Sequence, residues 1–154
     1  MSRWKRGEAT VAKLLIDRHL QRISGEMSDG QAWLDKAGRT LSSADLVVDS
    51  DPESALVLAY DARRQIGTGL LAQQGLRPTT AGGPVAVTRA VIDQFNGRFT
   101  GLDALRRRRN ELQYPSYPGD LVESHEAEAA IATVRGLLAD ASASLPSIGF
   151  FTER

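Results

Sequence analysis

Cysteine is absent from the 154 residues, which excludes disulfide bonds, thiolate metal ligands and cysteine nucleophiles. Histidine occurs only at His19 and His125, so a metal cage built on imidazole groups is not expected. The sequence therefore predicts no metal and no cofactor.

Net charge and long apolar runs are lacking too. The 19 basic and 19 acidic side chains cancel, so net charge predicts no bulk attraction to nucleic acid or to a membrane. After the basic residues at the N-terminus, the apolar run Leu14-Leu15-Ile16 ends at Asp17. A signal peptide needs about 7–15 apolar residues and a spanning helix about 20. We therefore expect a cytoplasmic protein without a membrane partner.

Helical spacing of apolar residues fills most of the chain. Two stripes show it best: Trp33, Ala37, Leu41, Ala44 and Val48, and then Ala55, Ala59, Ala62, Ile66 and Leu70. No segment alternates as a strand would, so no strands are predicted. The expected fold is all-α, an up-and-down bundle of about five or six helices. The predicted helices are 8–23, 29–48, 52–74, 84–95, 101–113 and 120–143.

The ends of these helices have recognisable signals. Ser28 or Asp29 is expected to cap the second helix, and Ser50 or Asp51 to cap the third ahead of Pro52. Gly75 is the expected stop of the third helix. Asn96-Gly97 is expected to break the fourth helix, and Thr100 to cap the fifth.

The sequence divides into three segments. Residues 1–27 are expected to form an N-terminal helix that packs on the bundle or extends from it, with a hinge between Gly25 and Gly30. Residues 28–146 form the bundle itself. Residues 147–154 form a tail whose apolar part is expected to dock on the bundle or on a partner.

Four consecutive arginines, 106–109, are the most unusual feature of the sequence. Four successive residues spread over about 300° of a helix, so the four side chains cannot all share one solvent-facing side. Leu102, Leu105 and Leu112 define the buried stripe, and Arg109 falls within it. A charged residue on an apolar stripe is costly unless it is paired or faces a polar cavity or interface.

The neighbours of Arg109 suggest a binding site. Arg106 and Gln113 flank it on adjacent turns, and Asn110 and Tyr114 lie four residues apart on the neighbouring face. A guanidinium, an amide and a phenol thus lie near the end of one helix. Such a set can bind phosphate, because arginine offers a planar fork of donors.

A purely structural role for these arginines is the alternative. Arginine near a helix C-terminus is favoured by the helix dipole, whatever the function. An inward Arg109 can also pair with Asp61, Asp93 or Glu123 to stabilise the fold. Spacing alone leaves both interpretations open.

The segment Arg109-Asn110-Glu111-Leu112-Gln113-Tyr114 resembles the signature of the HEPN superfamily, in which an arginine is followed by four to six residues and then histidine. In many members a polar residue, often asparagine, directly follows the arginine. The resemblance extends over about residues 28–142. Four upstream segments are also similar to the family: Trp33-Leu34, Asp51-Pro52-Glu53-Ser54-Ala55, Tyr60-Asp61-Ala62-Arg63-Arg64 and Gly75-Leu76-Arg77-Pro78.

The resemblance implies a bundle that dimerises so that two arginine motifs meet in one cleft. Active members are metal-independent ribonucleases of toxin–antitoxin, abortive-infection and CRISPR systems. Arg109 then supplies the cation for the phosphorane, and Asn110 orients the phosphate. Arg106, Gln113 and Asp61 are the further residues expected to contact substrate or support the site.

One departure from the signature concerns catalysis. Tyr114 stands where the family has histidine, followed by Pro115 and Ser116, and is expected to substitute weakly for it as a catalytic residue. A phenol is a weak base at neutral pH, because only about one part in 10³ is ionised. His125 lies in a separate helix and is expected to be an ordinary surface residue. For Asp61, a local ion pair with Arg64 is the favoured interpretation.

The expected function is an RNA-binding or weakly active, metal-independent endoribonuclease module of a bacterial toxin–antitoxin or phage-defence system. Its expected partners are RNA, with tRNA as one candidate, a second copy of the chain, and a cognate toxin or antitoxin such as a nucleotidyltransferase. The alternative is a non-catalytic dimerisation or antitoxin-like module that has lost the catalytic histidine. A nucleotide-binding regulator that uses the same cleft is the third hypothesis.

Overall fold

The computed structural model describes residues 6–95, 102–116 and 118–152. These residues form an all-α helical bundle, as the apolar spacing predicts. The α-helices are α1 (Glu8–Ile16), α2 (Gly30–Val47), α3 (Pro52–Gln73), α4 (Gly83–Phe95), α5 (Leu102–Gln113) and α6 (Ser124–Ser144). Two short strands, β1 (Leu20–Arg22) and β2 (Leu76–Pro78), and two short 3₁₀ helices (Gly25–Ser28 and Leu145–Ser147) complete the described elements.

Helix α3 is the centre of the bundle. It packs against α2, α4, α5 and α6, and every residue from 65 to 72 is buried. The predicted stripe of α3 is buried throughout: Ala55, Ala59, Ala62, Ile66 and Leu70. On α2 the predicted Ala37, Leu41 and Ala44 are buried, while Trp33 is only partly buried, as is Val48 just beyond the end of the helix. The sequence therefore predicted the core face of both helices.

Two glycines allow α2 to approach α3 closely. A Cβ on Gly69 of α3 would lie 2.9 Å from the Cβ of Trp33 and 3.1 Å from the carbonyl oxygen of Gly30. A Cβ on Gly30 of α2 would lie 2.6 Å from the carbonyl oxygen of Gly69. Each glycine thus makes room for the backbone of the other helix, and larger residues would push the helices apart.

The ends of α2 and α3 follow the predicted signals. The Asp29 carboxylate accepts a hydrogen bond from the backbone N–H of Ala32 at 3.2 Å, and Asp51 accepts one from Ser54 at the same distance. Pro52 is the first residue of α3. Gly75 lies just beyond the end of α3 with φ 74°, a left-handed conformation that glycine adopts without strain.

The prediction that the chain has no strands is wrong. Leu20 pairs with Pro78 and Arg22 with Leu76 in an antiparallel two-stranded sheet. Strands of three residues are too short to show an alternating pattern. The first helix is correspondingly shorter than the predicted 8–23, because the chain turns at Arg18 (φ 60°) and then enters β1.

The last helix begins at Ser124 rather than near residue 120. Asp120 lies outside the helix and accepts hydrogen bonds from Arg108, and Glu123 has extended backbone geometry at the N-cap. On α6, Leu137 is buried and Leu138 is only partly buried. The predicted helix break at Asn96-Gly97 and cap at Thr100 lie outside the described residues.

Both terminal segments contact the bundle. Thr10 of α1 donates a hydrogen bond to Asp93 of α4 at 2.6 Å. In the tail, Phe151 is buried, its N–H donates to the carbonyl of Gln74 at 2.8 Å, and its carbonyl accepts from Arg22 at 3.0 Å. The described part of the tail therefore docks on the bundle beside β1 and the end of α3.

Within the described ranges, none of the helices combines the length and the apolarity needed to span a membrane.

Candidate functional site

A cleft of about 550 Å³ opens between α3 and α5. Helix α5 packs on α3 through Leu105 and Leu112, which are partly buried against the core. The C-terminal half of α5 runs past the first turns of α3, and the cleft lies between them. We call it the α3–α5 cleft; its lining residues are Glu53, Ser54, Val57, Leu58, Arg109, Leu112 and Gln113.

Arg109 lies partly buried in the wall of this cleft. Its Cζ is 5.7 Å from the ring centroid of Tyr60 on α3, and its Nη1 donates a hydrogen bond to the side-chain oxygen of Gln113. The Nε atom is buried without a hydrogen-bond partner. No carboxylate of the described residues forms an ion pair with Arg109. The guanidinium therefore keeps its charge available to an anion in the cleft.

The ring of Tyr60 faces a second guanidinium. The Cζ of Arg63 is 5.6 Å from the same ring centroid, and Arg63 is almost completely buried, with 1% exposure. Its Nη2 donates a hydrogen bond to the hydroxyl of Thr88 on α4 at 2.5 Å. Because Tyr60 itself is only 7% exposed, its ring is held between the core and Arg109. A fixed aromatic ring stabilises the adjacent cation by cation–π attraction.

Arg108, the preceding residue, is held in a different way. Its Nε donates to Glu126 at 2.6 Å, and its Nη1 reaches Asp120 at 3.0 Å and Glu111 at 3.3 Å. The hydrogen bond to Glu126, followed by those to Asp120 and Glu111, raises the pKa of Arg108 above its ordinary range. Arg108 therefore ties α5 to α6 and to the loop between them, which is a structural role.

Sequence reasoning missed Arg108 because its partners are distant in sequence. Asp120 and Glu126 lie 12 and 18 residues further along the chain. Helical spacing marks only partners three or four residues away, and Glu111 alone satisfies that condition.

A second, more apolar cavity of about 270 Å³ lies beside this ion-pair network, between α3, α5 and α6.

Of the other predicted site residues, only Gln113 is joined to Arg109. Arg106 lies partly buried one turn earlier on α5, and Asn110 is exposed. Tyr114 is 77% exposed at the end of α5, where its backbone N–H donates to the carbonyl of Asn110 at 2.9 Å. No hydrogen bond joins the side chain of Asn110 or Tyr114 to Arg109.

The carboxylates that were expected to neutralise Arg109 lie elsewhere. Asp93 accepts from Thr10, and Glu123 pairs with the exposed His125 at 3.3 Å. Asp61 is partly buried beside Tyr60 and forms no ion pair with Arg109. The structural alternative in which one of these acids neutralises Arg109 is therefore wrong.

The expected local pair between Asp61 and Arg64 is not formed either. Both side chains are partly buried on α3, yet no hydrogen bond or ion pair joins them. Such a pair gains only about 0.2–0.5 kcal/mol, so the entropy of two free side chains can outweigh it. Asp61 thus remains close to the site without a local partner on its own helix.

Among the residues that the structure describes, no group of three or more histidine, aspartate or glutamate side chains could hold a metal ion. Comparisons of the chain with protein-family models, with curated proteins and with solved structures gave no match. The function must therefore be inferred from the site itself.

Proposed function

We propose that this chain is a HEPN-like RNA-binding module in which the α3–α5 cleft binds a backbone phosphate through Arg109. One observation carries the proposal: Arg109 is a partly buried cation that has an aromatic ring and an amide as neighbours but no carboxylate in the described residues. A charge that is partly removed from water is costly unless an anion meets it.

The surroundings of Arg109 favour phosphate over a simple counterion. Gln113 holds one end of the guanidinium, which fixes the orientation of the planar donor fork. Glu53 lines the cleft as well, and its negative charge disfavours a second phosphate nearby.

Binding is the primary activity in this proposal, and cleavage is weak. Metal-independent cleavage of RNA needs a base at the ribose 2′-hydroxyl and an acid at the leaving oxygen. The resemblance gives this role to Tyr114, whose exposed phenol is not hydrogen-bonded to Arg109. A role in a bacterial toxin–antitoxin or phage-defence unit, as a homodimer or with a cognate nucleotidyltransferase, forms part of the same proposal through the HEPN resemblance.

A non-catalytic dimerisation or antitoxin-like module is the second candidate. Tyr114 and Leu121 are each 77% exposed, and both belong to the segment that joins α5 to α6. Large apolar side chains exposed in one short segment favour a contact with another protein surface. The test is the oligomeric state of Leu121→Asp by analytical ultracentrifugation, with dissociation of a dimer as the expected result and an unchanged mass as the contrary one.

RNA binding is tested by fluorescence anisotropy with labelled single-stranded RNA and with tRNA. We expect Arg109→Ala to weaken binding about tenfold and to lower the slope of log affinity against log salt by about one. Arg39→Ala is the matched control, because Arg39 is exposed on α2 and lines a different cleft. Equal losses in the two variants would show that binding is merely electrostatic and would reject the site.

Cleavage is tested separately, by incubating RNA with the wild type, Arg109→Ala and Tyr114→His. If the site is otherwise intact, Tyr114→His is expected to raise the cleavage rate, because imidazole is a far better base than a phenol at neutral pH. The combined variant Arg109→Ala/Tyr114→His is expected to lose that gain. No Arg109-dependent cleavage in any variant would remove the ribonuclease part of the proposal and leave the binding part.

A further inference from the structure

Two opposite charges line the α3–α5 cleft without meeting. Arg109 lies beside Tyr60, and Glu53 lies seven residues before Tyr60 on α3. Seven residues of α-helix span about 10 Å, so Glu53 and Tyr60 are attached to α3 about 10 Å apart along its axis. No ion pair joins Glu53 to Arg109, and Glu53 forms no hydrogen bond with any other described residue. The cleft therefore has a positive group beside Tyr60 and a negative group at the first turn of α3.

The part of the cleft between these charges is apolar. Val57 and Leu58 of α3 and Leu112 of α5 line it. A well-suited occupant has an anionic group at one end, hydrogen-bond donors at the other and a flat apolar body in between. The volume of about 550 Å³ lies in the range of small-molecule sites. A nucleotide has this layout, because its phosphate and the outer edge of its base lie at opposite ends of the molecule.

The carboxylate of Glu53 distinguishes between the bases. A carboxylate offers two acceptor oxygens side by side and no donor. Guanine carries two adjacent donors on its Watson–Crick edge, the N1–H and the N2 amino group. Adenine and cytosine each place a ring-nitrogen acceptor next to the amino group, and uracil places carbonyls on both sides of its N3–H. Guanine is therefore the base that a carboxylate pairs with best.

We infer that the α3–α5 cleft takes one unpaired guanine nucleotide, with its phosphate on Arg109 and its base edge on Glu53. This inference rests on the proposed RNA-binding function and makes Glu53 its specificity-determining residue. The base must be unpaired, since its Watson–Crick edge is occupied in a duplex. Single-stranded, guanine-containing RNA is thus the expected substrate class.

The inference is tested by calorimetric titration of the full chain with guanosine, inosine, adenosine and uridine 5′-monophosphates. Inosine monophosphate differs from guanosine monophosphate only in lacking the N2 amino group, so the pair isolates the second donor. We expect guanosine monophosphate to bind about fivefold more tightly than inosine monophosphate. In Glu53→Gln the two affinities should become equal, since an amide offers only one acceptor atom.

Two further variants test whether the base preference depends on Glu53 itself and whether the affinity depends on Arg109. Glu128→Gln removes the same charge from an exposed site on α6 and should keep the fivefold preference. Arg109→Ala should weaken all four nucleotides by a similar factor. A wild type that binds guanosine and inosine monophosphates equally, or a preference that survives in Glu53→Gln, would overturn the inference. Arg109-dependent binding of all four nucleotides without a base preference would also overturn the guanine inference, but it would leave the proposed RNA-binding function in place.

Discussion

Arg108 and Arg109 are adjacent in the chain, but their guanidinium groups have opposite surroundings. Arg108 is in contact with the carboxylates of Glu111, Asp120 and Glu126, whereas Arg109 faces the ring of Tyr60 and has no carboxylate partner in the described part of the chain. Successive residues of a helix point about 100° apart, so one side chain turns to α6 and the other to the α3–α5 cleft.

The first prediction follows from this contrast and concerns stability. Arg108→Ala leaves two partly buried carboxylates without their cation, so we expect a loss of about 2 kcal/mol in the free energy of unfolding. Arg109→Ala removes a cation that has no ion-pair partner among the described residues, so the loss should stay below about 1 kcal/mol. Urea denaturation of both variants measures the difference. A greater loss for Arg109→Ala would mean that Arg109, and not Arg108, holds α5 in place.

Tyr60 is expected to control the affinity of Arg109 for phosphate. Tyr60→Phe keeps the aromatic face and should bind RNA like the wild type, whereas Tyr60→Leu removes it and should weaken binding about threefold to tenfold. Anisotropy measured well below the melting temperature gives the affinities.

Tyr60 is buried, so its replacement also lowers stability and needs a matched control. Leu41 of α2 is buried and does not line the α3–α5 cleft, so Leu41→Ala should lower the melting temperature without changing RNA affinity. If Tyr60→Leu and Leu41→Ala affect affinity equally, the ring has only a packing role.

Two glycine-to-alanine substitutions should change stability in opposite directions. At Gly69 a methyl group meets the Cβ of Trp33 and backbone of α2, so Gly69→Ala should cost about 2 kcal/mol. At Gly136 on α6 a Cβ has nothing within 4 Å, so Gly136→Ala should stabilise by about 0.5–1 kcal/mol through helix propensity. Thermal and chemical denaturation check both. Loss of stability in Gly136→Ala would contradict the open space around it.

The cap of α3 should make stability depend on pH. Asp51 accepts hydrogen bonds from the hydroxyl of Ser54 at 2.5 Å and from its N–H, and these bonds lower the pKa of Asp51 below its ordinary value. A carboxylate whose pKa is lower in the folded state contributes stability above its unfolded pKa and loses it as the pH falls through the folded value.

Asp51→Ala should therefore lower the melting temperature at pH 7. The difference from the wild type should shrink as the pH falls below about 4, where the carboxylate of the wild type becomes protonated. Melting curves between pH 7 and pH 2.5 measure it. Asp49→Ala, at an exposed site outside any helix, is the control and should show no comparable difference. A difference that stays constant down to pH 2.5 would mean that the ionised cap contributes nothing.

Helix positions were largely predictable from sequence because they depend on local signals. The buried stripe of α3, the caps at Asp29 and Asp51 and the stop at Gly75 all follow from residues within one or two turns. The strands were not predictable, since each has three residues and its partner lies more than 50 residues away in the chain.

The candidate site was likewise predictable from sequence only where it depends on local spacing. Periodicity alone placed Arg109 on the inner face of α5, with Gln113 one turn later, because both facts depend only on the helical repeat. Only the tertiary structure decided that Tyr60 lies against Arg109, that Thr88 accepts a hydrogen bond from Arg63, and that Arg108 pairs with Glu126. Those contacts join residues of different helices, and their distances depend on how the whole bundle packs, which no local pattern records.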